Sequence, residues 1–168
     1  FVAENVGGLQ SANEGKAFIK ILQEITNPGE VEYVVTPHLY KFEEYGVPQA
    51  RHSIIIVGIR KDIADQGIEF KIPAPITPNA EDYKTSKEAI ENPPIQEGAI
   101  HHEMPRHTAK VQEMLSHIPP GQNAWYDGIP EDLRLQVKGA KLSSIYKRLD
   151  PTRPAYTVTG SGGGGTHM

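Results

Sequence analysis

Glu4, Gln49, Arg51 and Ser53 are the side chains whose types and settings in this chain could do chemistry. Glu4-Asn5-Val6 follows the apolar Phe1-Val2-Ala3. A carboxylate directly after such a strand stands where open α/β sheets gather ligand groups, at the carboxyl ends of strands. The plainer reading of Glu4 is a solvated turn residue. Tyr45-Gly46-Val47-Pro48-Gln49-Ala50-Arg51 is a polar turn that runs straight into the apolar Ile54-Ile55-Ile56-Val57. Side chains alternate across a strand, so an extended chain here would put Gln49, Arg51 and Ser53 on one face and His52 on the other. The planar fork of Arg51 suits a base carbonyl, a phosphate or a carboxylate. Its plainer reading is an edge arginine paired with Glu43 or Glu44. Pro154-Ala155-Tyr156-Thr157-Val158-Thr159 runs into Gly160-Ser161-Gly162-Gly163-Gly164-Gly165. Alone, the glycines read as a flexible linker. Their continuity with the preceding motif favours a native loop where backbone approaches backbone.

The elements that must hold these groups follow from pattern. Phe1-Val2-Ala3 reads as the end of a buried strand, which implies that more chain precedes it. Ser11-Ala12-Asn13-Glu14 fits a capping box. Phe18, Ile21, Leu22 and Ile25 then recur at helical spacing, and Asn27-Pro28-Gly29 ends the helix. Strands are expected over 30–36 and 53–60, after which Pro73, Pro75 and Pro78 interrupt regular structure. Residues 79–106 read as acidic loop and short helix. Residues 108–118 read as a helix with Val111, Met114, Leu115 and Ile118 on one face, and 122–152 carry no clear period. The β–α–β–β order of the first 75 residues is that of a sheet with helices packed on it.

Composition narrows the classes of function. The 168 residues suffice for a real core, and 23% charged residues argue against wholesale disorder. Zero cysteines exclude disulfides and thiolate zinc sites. No apolar run approaches the roughly 20 residues that span a bilayer. His101, His102, His107 and His117 lack the i, i+4 spacing of a helical metal pair, so no metal is expected. The net charge is −4, yet Arg134, Lys138, Lys141, Lys147, Arg148 and Arg153 face only Asp150 among acids over 134–153. Such a run is either a solvated face or a phosphate-contacting stripe.

Taken in order, Glu4-Asn5-Val6, the 45–51 segment with its following strand, and Pro154-Ala155-Tyr156-Thr157-Val158-Thr159 with its glycines resemble the later motifs of the DNA cytosine-5 methyltransferases. The resemblance covers nearly the whole chain. It implies an α/β fold: the second part of a Rossmann-like, S-adenosylmethionine-dependent methyltransferase domain over 1–75, and an irregular target recognition region over 76–168. It also implies a flipped cytosine as substrate. A cysteine thiolate adds to C6, and C5 then takes a methyl group from S-adenosylmethionine. By this likeness Glu4 would meet N3 and the exocyclic amine, and Arg51 would wall the pocket. Asn5, Gln49 and Ser53 would support it, with Ser53 standing where the family has a second arginine that contacts O2. Lys141, Lys147, Arg148, Arg153, Thr157, Thr159, Gly162 and Gly163 would meet DNA.

The family's Pro-Cys nucleophile and its first cofactor-binding glycines precede Glu-Asn-Val and do not occur here. The expectation is therefore a fragment that is inactive alone. Its expected partners are duplex DNA and either a second copy or a complementing N-terminal half, with no membrane and a cytoplasmic, prokaryotic setting. A DNA-binding module without chemistry, or one half of a split enzyme, are the alternatives.

Overall fold

A computed structural model of the chain describes residues 1–100, 102, 106–137, 139 and 141–158. Thr159, Gly162, Gly163, Lys138 and His101 lie outside the described residues. The chain forms two compact units, Phe1–Asp82 and Tyr83–Met168.

The first unit is built on a three-stranded sheet. Its strands are β1 (Val2–Val6), β2 (Tyr33–Lys41) and β4 (His52–Arg60), with the two-residue β3 (Gln49–Ala50) just before β4. The spatial order is β1-β4-β2, and β4 runs antiparallel to both neighbours. β1 and β2 therefore point the same way. Parallel strands need a long crossover rather than a hairpin, and helix α1 (Lys16–Thr26) supplies it and packs on β2. Central placement explains the continuous apolar run of β4. Ile54 is fully buried, Ile56 and Val57 nearly so, because this strand is covered on both sides. A short helix, α2 (Lys61–Ala64), follows it.

Helix α1 has the expected core side, with Phe18, Ile21, Leu22 and Ile25 half-buried, and it ends at Asn27. Its expected capping box does not form. Asn13 and Glu14 have φ of 50° and 57° inside a 3-10 turn, Ser11 makes no side-chain cap, and Gly15 is the N-cap residue. The Ser11 hydroxyl donates to the Gly8 carbonyl, and Glu14 pairs with Lys16 at 2.7 Å. β2 begins at Tyr33 rather than Glu30 and continues through Pro37 to Lys41. Among the described residues β2 has one partner strand, so Pro37 can turn its donor-less nitrogen to the unpaired side. The unit also runs past residue 75. The Ile76 and Thr77 amides both donate to the Glu44 carbonyl at 3.0 Å, and the Thr77 hydroxyl donates to the Glu43 carbonyl at 2.8 Å.

The second unit has little regular structure: α3 (Ser86–Glu91), α4 (Ala109–Ser116), a 3-10 turn over Glu131–Leu133 and the two-residue strand β5 (Ala155–Tyr156). Thr85 caps α3 in a capping box with Glu88, and Thr108 caps α4 by accepting from the Val111 amide. The face read from sequence is the core: Met114 and Ile118 are buried with Ile129 and Leu133, and Leu115, Leu135 and Tyr146 pack around them. The aperiodic 122–152 stretch is held by backbone bonds between distant segments. Ala124 donates to Ile145, and Arg148 donates to Gln122. Buried Ser86 ties α3 to 150–153, its amide to the Arg153 carbonyl and its hydroxyl to the Asp150 carbonyl, both at 2.8 Å.

Candidate functional site: a carboxylate and an arginine on one sheet face

Glu4 does not follow β1 but lies inside it, because the ladder to β4 continues as far as Val6 opposite Ser53. The register sets Glu4 opposite Ile55, two residues along from that pair, so Glu4 and Ser53 share a face. Arg51 reaches the same face: its Nη2 stands 3.9 Å from Glu4 Oε1. Both side chains stay about half exposed, 40% for Arg51 and 49% for Glu4, so both remain open to a ligand. The plainer partners expected for Arg51 are otherwise engaged. Glu43 receives His52 Nε2 at 2.8 Å, and Glu44 receives Lys41 Nζ at 3.0 Å. His52 indeed points away from Arg51's face.

The other expected pocket residues are placed differently. The Arg51 amide donates to the Gln49 carbonyl at 3.0 Å, a tight bend that interrupts the alternation between Gln49 and Arg51. Asn5 turns its Oδ1 to the Val6 amide at 2.8 Å. Ser53 is 1% exposed, and its hydroxyl has no hydrogen-bond partner among the described residues. It lies opposite Tyr40, itself buried. Position 53 is thus a closed place on that face, and its hydroxyl is not open to a ligand as Glu4 and Arg51 are.

The basic residues of the second unit divide in the same way. Arg148 donates from Nη1 to the Ile118 carbonyl at 2.6 Å, and so closes the end of the α4 segment. Lys147 lies over the Tyr156 ring at 4.6 Å, while the Tyr156 hydroxyl donates to the Lys147 carbonyl. Burial raises the Tyr156 pKa above its ordinary value. Arg134 donates to the Ile129 and Asp127 carbonyls at 2.9 and 2.7 Å. Arg153 and Thr157 are exposed, as a DNA contact requires. Lys141 lies 5.4 Å from the centre of the Trp125 ring, beside a cleft of about 310 Å³. Trp125 lines this cleft, a place its sequence setting did not assign. Its signal was the chain's one tryptophan set in a basic stretch.

Among the described residues no group of three His, Asp or Glu could hold a metal, and no helix is long and apolar enough to cross a membrane.

The model of the family described as C-5 cytosine-specific DNA methylase matches residues 1–162. The chain is 60% identical over 167 residues to the type II methyltransferase M.BbvI of Brevibacillus brevis, covering 99% of this chain and 43% of that protein. It is 39% identical to the type II methyltransferase M.NgoFVII of Neisseria gonorrhoeae, again over 99% of this chain and 43% of the relative. To the type II methyltransferase M.Eco47II of Escherichia coli it is 30% identical, over 94% of this chain and 37% of that protein. The chain thus spans less than half the length of these curated relatives.

Proposed function

This chain belongs to the C-5 cytosine-specific DNA methylase family, and from that premise we propose that it carries the cytosine-holding part of a methyltransferase acting on duplex DNA. The observation that carries the reading is the Glu4–Arg51 approach at 3.9 Å on one open sheet face. Cytosine offers an N3 and an amino group on one edge and a carbonyl at C2. Glu4 suits the first edge. Arg51 suits the carbonyl, since the Ser53 hydroxyl is buried and cannot reach it. Negative charge spreads over N3 and O2 when a nucleophile adds to C6. A carboxylic acid and a guanidinium held there would offset it, more strongly in the transition state than in the ground state.

The family implies S-adenosylmethionine as the donor that supplies the methyl group. The Glu4–Arg51 pair suits the planar base that receives it. The zero cysteine count means that the thiolate must come from elsewhere. We take residues 1–75 as the second part of a Rossmann-like domain and 76–168 as the target recognition region. The helical crossover between the like-directed strands β1 and β2 supports the first assignment. Val2 and Val6 of β1 are 72% and 60% exposed, which supports a further piece of protein, or a second copy, along this side. The relatives' type II names support a place in restriction-modification.

The test is coexpression. The chain alone should transfer no methyl group from labelled S-adenosylmethionine to DNA. With a half that bears the Pro-Cys nucleophile, activity should appear. In the assembled form Glu4→Gln and Arg51→Gln should each lower the rate by roughly 10²–10³. Each should leave stability within about 0.5 kcal/mol, since the pair is half exposed. Incorporation by the chain alone, or full activity in both variants, refutes the assignment.

A further inference from the structure

Several places could bind something beyond the Glu4–Arg51 face. The clefts at Glu30–Arg60 and Val34–Phe70 of the first unit present no organised set of recognition groups. The cleft beside Trp125 does. Its wall is fixed from within. The Trp125 indole N–H donates to the Leu142 carbonyl at 2.8 Å, and its amide donates to Asn123 Oδ1 at 2.9 Å. Ala124 is 2% exposed beneath it. Arg134 clasps the 127–129 loop. A side chain at Gly128 would collide with the Tyr126 ring, so this glycine lets the ring approach the loop backbone closely.

On this frame stand groups that are not used by the fold. Asp127, Glu131 and Gln136 line the cleft and make no side-chain hydrogen bond or ion pair among the described residues. Lys141 sits at the rim over the indole. The frame is rigid, the lining offers acceptors and one amide, and a cation stands at the edge. That combination contrasts with Arg148 and Arg134, whose guanidiniums are spent on backbone carbonyls.

We propose that the cleft formed by Trp125, Glu131, Gln136 and Lys141 reads the major-groove edge of a DNA base that presents an exocyclic amino group there, cytosine or adenine. This inference rests on the DNA-methylase reading and deepens it. A carboxylate accepts from the amino group of cytosine or adenine, and a glutamine amide pairs with both edge groups of adenine. Guanine and thymine present carbonyl acceptors to the same groove, which repel Glu131. Lys141 takes a flanking phosphate, which carries affinity but no sequence information. The cleft volume of about 310 Å³ lies at the small end of ligand sites, enough for one base edge.

The sequence supplies its own probe, because Trp125 is the only tryptophan. The full chain is titrated with a fluorescently labelled duplex pool of random sequence at low salt. Anisotropy reports DNA binding, and Trp125 emission with iodide quenching reports the cleft. The expected result is a change in Trp125 emission, and loss of iodide access, that saturate with the anisotropy. Repeated selection from the pool should enrich cytosine or adenine at one position. Glu131→Ala and Gln136→Ala, both exposed and checked by circular dichroism for an intact fold, should reduce that enrichment about tenfold while leaving low-salt binding in place. DNA binding with unchanged Trp125 emission and quenching overturns this inference alone. Enrichment that survives both substitutions does the same. Absence of any DNA binding at low salt overturns the DNA reading and this inference with it.

Discussion

Replacing Ser53 by alanine should stabilise the first unit. The hydroxyl is 1% exposed and has no partner among the described residues. A buried hydroxyl without a hydrogen bond costs roughly 1–3 kcal/mol relative to water. Alanine removes that cost and keeps the Cβ, losing one atom's packing against Tyr40 and its neighbours. A single lost heavy atom forfeits about 0.5–1 kcal/mol of contact. The net expectation is a gain of about 0.5–2 kcal/mol. With a urea m-value near 2 kcal/mol/M, the midpoint would rise by about 0.3–1 M. The assay is urea unfolding followed by far-UV circular dichroism. A loss of about 1 kcal/mol or more would show that the hydroxyl is satisfied, and the argument would fail. The companion variant Ser53→Arg sharpens the point, because the family resemblance sets an arginine there. A long cation has no room beside buried Tyr40 and Ile54, and the cost should exceed about 3 kcal/mol. A stable Ser53→Arg chain that is more active in the complemented enzyme would refute the closed position.

Three further outcomes follow from the second unit. Arg148→Ala should destabilise it by about 1–3 kcal/mol in denaturant unfolding, because it strips the guanidinium from the carbonyl of fully buried Ile118; unchanged stability with weaker DNA binding would return Arg148 to the phosphate contacts. Thr108→Ala should cost about 1 kcal/mol by freeing the Val111 amide at the start of α4, read as a lower thermal midpoint; an unchanged midpoint would show that the cap is idle. The Thr152 hydroxyl, then its backbone N–H, holds the Asp150 carboxyl below the ordinary 3.8. Its contribution to the 150–153 loop is therefore complete above that value and is lost as pH falls through the lowered one. Thr152→Ala should move the carboxyl titration, followed by NMR, back towards the ordinary value, and an unmoved titration would count against this hydrogen bond.

Much of the frame was legible in the sequence, and the reason is periodicity. Phe18, Ile21, Leu22 and Ile25 announced α1, and Met114 with Ile118 announced the core of the second unit, because burial of one stripe forces a 3.6-residue repeat. The apolar run 54–57 announced a strand but not its neighbours. Only the ladder shows that it is central and antiparallel to both. Failures occurred where local rules met tertiary demands. Ser11 and Glu14 have the types of a capping box, yet the chain enters α1 through two left-handed residues and Gly15. The strand expected over 30–36 begins later and runs on through Pro37 to Lys41, because an edge strand tolerates proline. The 122–152 segment has no period because its backbone partners lie some 20 residues away, as Ala124 and Ile145 do.

The same limit governs the site. Sequence alone pointed Arg51 to Glu43 or Glu44, its neighbours in the chain. The fold gives those carboxylates to His52 and Lys41 and sends Arg51 to Glu4, 47 residues away in sequence. An exposed pair at 3.9 Å contributes at most about 1 kcal/mol to stability, so folding energy is a weak reason for their meeting. A half-open carboxylate and guanidinium, set on one sheet face with a sealed Ser53, fit the holding of a polar planar ring better than the holding together of a fold. If stability were their purpose, exchanging the charges through the double variant Glu4→Arg, Arg51→Glu should preserve both stability and activity. A swapped pair that folds with an unchanged unfolding midpoint and yields no methyl transfer in the complemented enzyme would locate their role in chemistry.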